Sequence, residues 1–252
     1  MAAKSSDVAR REWGATKGTL GVWENEEMTL RATLFDMDGL LIDSEILWHE
    51  AELEIFGALG VPVSATNERS TKGLYVTEVV KHWHALYPWS GPSVDEVVSM
   101  VLTRVGDLVE EKGVLLPGAE RAVALASERG PVALASSTPL ALIQRNLNHF
   151  GIANLFASVN SAEFETHGKP HPAVFLTAAG SVATPATECL VFEDSAAGVL
   201  AAKAARMTVV AVPVEADRAQ PAFGLAELLL PTLEDLTPEW LDDHFASAAS
   251  AR

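Results

Sequence analysis

Short apolar runs recur along the chain, and three of them stop abruptly in polar side chains. Residues 32–35 lead into Asp36-Met37-Asp38-Gly39, residues 132–135 into Ser136-Ser137-Thr138, and residues 189–192 into Glu193-Asp194. An apolar run without alternation marks a strand covered on both faces, as in a parallel sheet. Open α/β sheets place their chemistry just beyond the carboxyl ends of such strands. If the three strands are parallel neighbours, all of these polar groups meet on one edge. Residues 156–160 and 208–212 read as two further strands.

Between the first strand and the second the pattern changes period. Asp43 or Ser44 is positioned to cap a helix that buries Leu47, Ala51, Ile55 and Leu59, with Gly60 past its end and Pro62 beyond. Residues 75–87 repeat Val76, Val79, Val80, Trp83 and Leu86 at helical spacing, and residues 94–110 form a third helix after the Ser90-Gly91-Pro92 break. No strand is expected from Ser44 to about Lys112. Residues 44–116 therefore read as an all-helical cap inserted after the first strand, with Leu116-Pro117-Gly118 as the return hinge. Residues 29–43 and 117–252 form the core. There, helices at 119–129, 139–150 (Thr138 as N-cap, Pro139 at the first helical position), 173–180 and 195–205 alternate with the strands. The expected fold is α/β, a doubly wound parallel sheet with a small helical cap domain. Residues 238–245 read as a surface helix. Residues 1–28 lack apolar periodicity and read as a disordered extension, with Met28 as an alternative start.

Composition narrows the function classes. At 252 residues and 48% hydrophobic, the chain can bury one sizeable core with a smaller insert. A formal net charge of −16 argues against nucleic acid and anionic membrane surfaces as partners. No apolar stretch reaches membrane-span length, and the first 28 residues hold no apolar signal region. The single cysteine, Cys189, lies in an expected buried strand, so an internal disulfide is impossible and a reducing cytoplasm fits best.

Carboxylates gathered on one sheet edge repel one another unless a cation sits among them. Oxygen-only ligands select a hard ion, Mg²⁺ first. A Mg²⁺ with carboxylates, one lysine and hydroxyls at helix N-termini suits a phosphoryl group as ligand. Phosphoryl transfer needs that charge stabilisation plus a nucleophile in line, and Asp36 is a candidate because carboxylates form aspartyl-phosphates. Asp38, two residues on, is placed to protonate the leaving oxygen and later to activate water.

Taken in order, Asp36-Met37-Asp38-Gly39, Ser136, Lys169-Pro170-His171-Pro172 and Glu193-Asp194-Ser195 resemble the four motifs of the haloacid dehalogenase superfamily. The helical insert resembles that superfamily's small cap. Residues 35–45, Leu59-Gly60-Val61, residues 88–93 and residues 115–118 are similar to the bacterial hexitol phosphatases, also described as 2-deoxyglucose-6-phosphate phosphatases. The resemblance covers residues 30–236. It implies Asp36 as nucleophile, Asp38 as general acid/base, and Ser136 and Lys169 as the phosphate-binding pair with Ser137 beside them. It implies a Mg²⁺ held by Asp36, the Asp38 backbone carbonyl, Asp194 and Glu193. It also implies a monomer acting on small phosphorylated sugars or polyols, such as 2-deoxyglucose 6-phosphate or hexitol phosphates.

Asp38 separates phosphate-monoester hydrolysis from dehalogenation, whose enzymes lack an acid at that place. A β-phosphoglucomutase-like mutase stays open as an alternative. Such mutases carry a histidine early in the first cap helix and an arginine soon after a cap glycine, where this chain has Trp48 and, after Gly73, Tyr75. A non-catalytic sugar-phosphate-binding protein is the alternative from another class. Weaker candidates are Lys72 as a cap cation, His82 and His84, which do not share a helix face, and Trp48, Trp83 and Trp89, which can stack on a sugar or pack the cap.

Overall fold

A computed structural model of the chain describes residues 30–63 and 75–245. The expectations for residues 1–28 and for Lys72 and Gly73 fall outside these. Strands β1 (Ala32–Phe35), β2 (Val132–Ser136), β3 (Ser158–Ser161), β4 (Cys189–Glu193), β5 (Thr208–Ala211) and β6 (Leu228–Leu229) form one parallel sheet in the order β3-β2-β1-β4-β5-β6. β3 begins two residues later than its apolar pattern suggests, and β6 extends the sheet by a two-residue edge strand that the sequence pattern does not reveal.

Both faces are covered, which explains the unbroken apolar runs. Along β1, β2 and β4, residues Phe35, Leu134, Leu190 and Phe192 point to one side. There they meet helices α4 (Ala119–Ser127), α5 (Leu140–His149) and α8 (Pro238–His244). Ala32, Leu34, Ala133, Ala135, Cys189 and Val191 point to the other, against α6 (Ala173–Ser181) and α7 (Ala196–Ala204). Period-two alternation on a two-sided sheet produces this division. The C-terminal helix is more than a surface element: Leu241 is fully buried, and Leu30 N–H donates to the His244 carbonyl at 2.9 Å.

Helices α1 (Glu45–Ala58), α2 (Val76–Leu86) and α3 (Val94–Lys112) lie between β1 and α4 and close around their own apolar cluster of Leu47, Phe56, Val80, Trp83, Val101 and Val105. α3 opens with a capping box between Ser93 and Glu96. In α1 the expected Leu47 and Ala51 are buried, Ile55 and Leu59 are partly buried against the same cluster, and Glu52 and Phe56 are buried in addition. Leu142 of α5 joins this cluster, and Arg145 of α5 reaches Asp107 and Glu110 of α3, each at 2.8 Å. The two connections to the insert run side by side. Asp43 N–H donates to the Val114 carbonyl at 3.0 Å, Leu116 N–H donates to the Leu41 carbonyl at 2.8 Å, and Ile42 bridges Leu115 antiparallel. The return strand ends at Gly118, whose φ of +83° and backbone contact with Glu234 exclude any side chain there.

Candidate active site

The strand order reverses at β1, which lies between β2 and β4. In open α/β sheets the crevice at such a switch point is where ligands bind. Asp36, Asp38, Ser136, Ser137, Glu193 and Asp194 all follow or end strands at this edge, and Lys169 reaches it from a loop. Asp36 follows β1 directly, and its N–H donates to the Phe192 carbonyl at 3.1 Å, extending the pairing with β4. Gly39 turns the chain away with φ +75°, and a Cβ there would collide with the Asp194 carboxylate. The glycine after the two aspartates therefore makes room for the acidic group of the neighbouring strand.

Lys169 comes in from the loop before α6 and is buried between two carboxylates. Its Nζ donates to Asp36 Oδ1 at 2.8 Å, to Glu193 Oε1 at 2.6 Å and to the Ala135 carbonyl at 3.1 Å, and it lies 4.7 Å from the centre of the Phe175 ring. Burial opposes its charge, but Asp36 and Glu193 outweigh that and raise the lysine above its ordinary pKa. Asp36 has to share this one cation. Burial, then the nearby Glu193 and Asp38 charges acting against the pull of Lys169, push its carboxyl up to about 7.

Asp38 is held by donors on all sides. Oδ1 accepts from Ser44 Oγ at 2.6 Å and from Trp48 Nε1 at 3.2 Å. Oδ2 accepts from Thr138 Oγ1 at 2.7 Å and from Ser136 Oγ at 3.4 Å. Two residues that the sequence suggests as helix caps are used here instead. Ser44 starts α1 without a side-chain capping bond, and the N-cap of α5 is Pro139, not Thr138. The open end of α5 is served by Glu163, whose Oε2 accepts from Leu140 N–H at 2.5 Å. Sequence reasoning missed Ser44, Thr138 and the role of Trp48. Ser44 and Trp48 are four apart and so share a face of α1, which was the available signal.

Glu193 ends β4 fully buried, and both of its oxygens already accept hydrogen bonds: Oε1 from Lys169, Oε2 from the N–H and Oγ of Ser195, each at 2.9 Å. Ser195 in turn caps α7 through Gly198 N–H, and a Cβ at Gly198 would overlap the Glu193 carboxylate. Asp194 Oδ1 is buried without a hydrogen-bond partner, and burial, Glu193, Asp36 and Glu45 all raise its pKa well above the usual carboxylate range. Asp36, Glu193 and Asp194 each offer a carboxylate oxygen, and these oxygens lie within 4.8 Å of one another. Crowded hard oxygens with one orphaned atom are the donor set that Mg²⁺ takes.

Ser137 sits half-buried between Ser136 and Thr138 in the loop after β2. Trp83 fills the centre of the helical insert, and Trp89 packs on Phe56 while its Nε1 donates to the Pro92 carbonyl. His82 and His84 rest edge-on against these two rings, and neither belongs to a group of three or more ligating side chains among the described residues.

The model of haloacid dehalogenase-like hydrolases matches residues 30–206. The chain belongs to the haloacid dehalogenase-like hydrolase family. Among curated proteins it is similar to hexitol phosphatase B of Escherichia coli strain K12, with 45% identity over 82% of this chain and 94% of that one. Among solved structures it resembles CbbY from Rhodobacter sphaeroides in complex with phosphate, at 25% identity and a TM-score of 0.73, covering 82% of this chain and 96% of that one. It also shares the fold of β-phosphoglucomutase from Clostridium difficile, at 23% identity and a TM-score of 0.74, covering 86% and 97%. The chain is thus a hydrolase with this family's core, and no helix among its described residues is long and apolar enough to cross a membrane.

Proposed function

We propose that this hydrolase is a Mg²⁺-dependent phosphatase of small sugar or polyol phosphates that works through an aspartyl-phosphate on Asp36. The observation that carries the reading is the pair of aspartates at the switch point. Asp36 is gripped by Lys169, and Asp38 is held two residues away by Ser136, Thr138, Ser44 and Trp48. Lys169 orients Asp36 for attack on phosphorus and offsets charge on the phosphoryl oxygens. Ser136, with Ser137 beside it, offers hydroxyls to those oxygens at the end of β2. Asp38 gives its proton to the leaving oxygen and afterwards takes one from the attacking water. Asp36, the Asp38 backbone carbonyl and Asp194 would hold the Mg²⁺, with Glu193 completing the acidic set. When bound, the ion neutralises these carboxylates and stabilises charge on the phosphoryl group. The helical insert acts as a cap over this edge and supplies the substrate contacts. We assign the enzyme to the cytoplasm as a monomer, a reading supported by its single, buried cysteine and its net negative charge.

The similarity to hexitol phosphatase B makes hexitol phosphates and 2-deoxyglucose 6-phosphate the first substrates to try. With Mg²⁺, they should release inorganic phosphate in a colorimetric assay. β-Glucose 1-phosphate should not be converted to glucose 6-phosphate at a rate rivalling hydrolysis. Mutase activity of that size would reverse the assignment, and no phosphate release from any sugar or polyol phosphate would leave only a binding protein.

The acidic cluster carries its own expectation. Asp194→Asn should raise the Mg²⁺ concentration needed for half-maximal activity while the sheet stays folded. The ion competes with protons for carboxylates whose folded pKa is raised, so those groups favour the metal-free fold less as pH climbs from about 4 toward 7. The rise in Tm on adding Mg²⁺ should therefore be larger at about pH 8 than at about pH 5.5. Identical activity curves for both forms, or full activity in excess chelator, would remove the metal from the mechanism.

A further inference from the structure

The four donors around Asp38 are not equivalent. Ser44, Ser136 and Thr138 present hydroxyls, which can give or take a hydrogen bond. Trp48 presents an indole N–H, which can only give one. A proton on Oδ1 would point donor against donor and leave the indole N–H unmatched. A proton on Oδ2 requires only that Thr138 or Ser136 rotate its hydroxyl. Ser44 shares Oδ1 with the indole, and its hydroxyl has a second acceptor in the Ile42 carbonyl at 3.4 Å, so it does not compete for that oxygen alone.

We propose that Trp48 is a positioning residue for the reaction, and that its indole N–H makes Oδ2 the oxygen of Asp38 that carries the exchangeable proton. Oδ2 is the oxygen beside Ser136, at the end of β2 where the phosphate is expected. This rests on the reading of Asp38 as general acid and deepens it. In the first step an Asp36 oxygen forms a bond to phosphorus as the ester P–O bond breaks. The electron pair of that bond stays on the leaving oxygen, which takes the proton from Oδ2. In the second step water attacks phosphorus, the P–O bond to Asp36 breaks with its pair returning to the carboxylate, and the water proton goes to Oδ2. The indole keeps Oδ1 as acceptor throughout. Trp48 therefore aims the acid rather than stacking on the sugar.

The test removes the N–H and keeps an aromatic side chain. Trp48→Phe is one form; replacing Trp48 with 3-benzothienylalanine, in which sulfur takes the place of the N–H, is the second and serves if Trp48→Phe does not fold. Phospho-enzyme formation is followed by rapid quench on a hexitol phosphate, whose alkoxide needs a proton to leave, and on p-nitrophenyl phosphate, whose phenolate does not. The first-step rate on the hexitol phosphate should fall about tenfold, the cost of one misdirected hydrogen bond. KM should stay within about twofold, because ground-state binding is untouched. The first-step rate on p-nitrophenyl phosphate should be unchanged. Equal losses on both substrates would reduce Trp48 to packing. A raised KM with an unchanged first step would make it a sugar contact, and no change at all would also overturn the proposal. Asp38→Asn is run alongside. If it turns over the hexitol phosphate at the normal rate, the reading of Asp38 as acid fails. If it is deficient while the Trp48 variants are normal, only the role of Trp48 fails.

Discussion

Asp36→Asn should lower turnover by about 10⁴-fold or more, the scale seen when a catalytic nucleophile is removed. The amide keeps the size and shape of the carboxylate but does not attack phosphorus. Asp38→Asn leaves the nucleophile and removes proton transfer, a contribution of about 10²–10⁴-fold. The two variants should differ in kind as well as size. Given an aryl phosphate that needs no proton to leave, Asp38→Asn should form phospho-enzyme and then accumulate it, because the water that clears it still needs a base. Asp36→Asn should neither recover nor label. Rapid quench with labelled substrate and acid-precipitated protein separates these outcomes. Label on Asp36→Asn equal to that on wild type would move the nucleophile elsewhere.

Lys169→Met should cost both activity and stability. The side chain is only 5% exposed and is the cation that joins Asp36 to Glu193. Removing one partner of a buried charged set leaves the other charges uncompensated, typically at a cost of about 3–5 kcal/mol. Turnover should fall by about 10³-fold if, as proposed, the charge lost with it faces the phosphoryl group. The pH dependence gives the cause away. With the lysine gone, the folded pKa of Asp36 moves further above its unfolded one, because the pull of Lys169 that opposes the shift is lost. Stability is then kept at low pH and lost as pH rises through the window between unfolded and folded values. Urea denaturation in chelator should therefore show a larger deficit at about pH 8 than at about pH 5.5. Adding Glu193→Gln to Lys169→Met should restore part of the stability and none of the activity. A uniform deficit at both pH values would point to lost packing of the lysine stem on Phe175 instead.

The parts of the fold that could be read from the sequence are those whose cause is local. β1, β2 and β4 are covered on both faces, so their apolar runs are unbroken and end where the chemistry begins. β6 is two residues long and exists only through its pairing with Val210 and Ala211, which no local pattern announces. α1 turns the expected face inward, with Leu47 and Ala51 buried and Ile55 and Leu59 packed beside them, but apolar spacing alone did not show that Glu52 and Phe56 are buried as well. The site divides in the same way. Asp36, Asp38 and Asp194 have chemistry that stands out at strand ends, and Lys169 stands out in the loop before α6. The partners of Asp38 lie 6, 10, 98 and 100 positions away, and their residue types have commoner uses as caps or packing. Ser44 and Thr138 could have served as helix caps, and only the tertiary structure shows that Asp38 takes their hydroxyls.

The paired connections at Leu41–Asp43 and Val114–Leu116 have a consequence for how such enzymes diversify. Because the chain leaves and returns at adjacent points, the sheet meets the helical insert as it would meet a single hairpin. Loop-closure entropy rises only with the logarithm of length, so an insert of another size or shape grafted between these two short strands costs the core little. The grafted module would bring its own substrate contacts, while Asp36, Lys169, Glu193 and Asp194 stay on the sheet edge untouched. Some contacts cross that boundary and would have to be rebuilt in each new module: the pairs of Arg145 with Asp107 and Glu110, and the Ser44 and Trp48 donors that reach back to Asp38 from the start of the incoming helix.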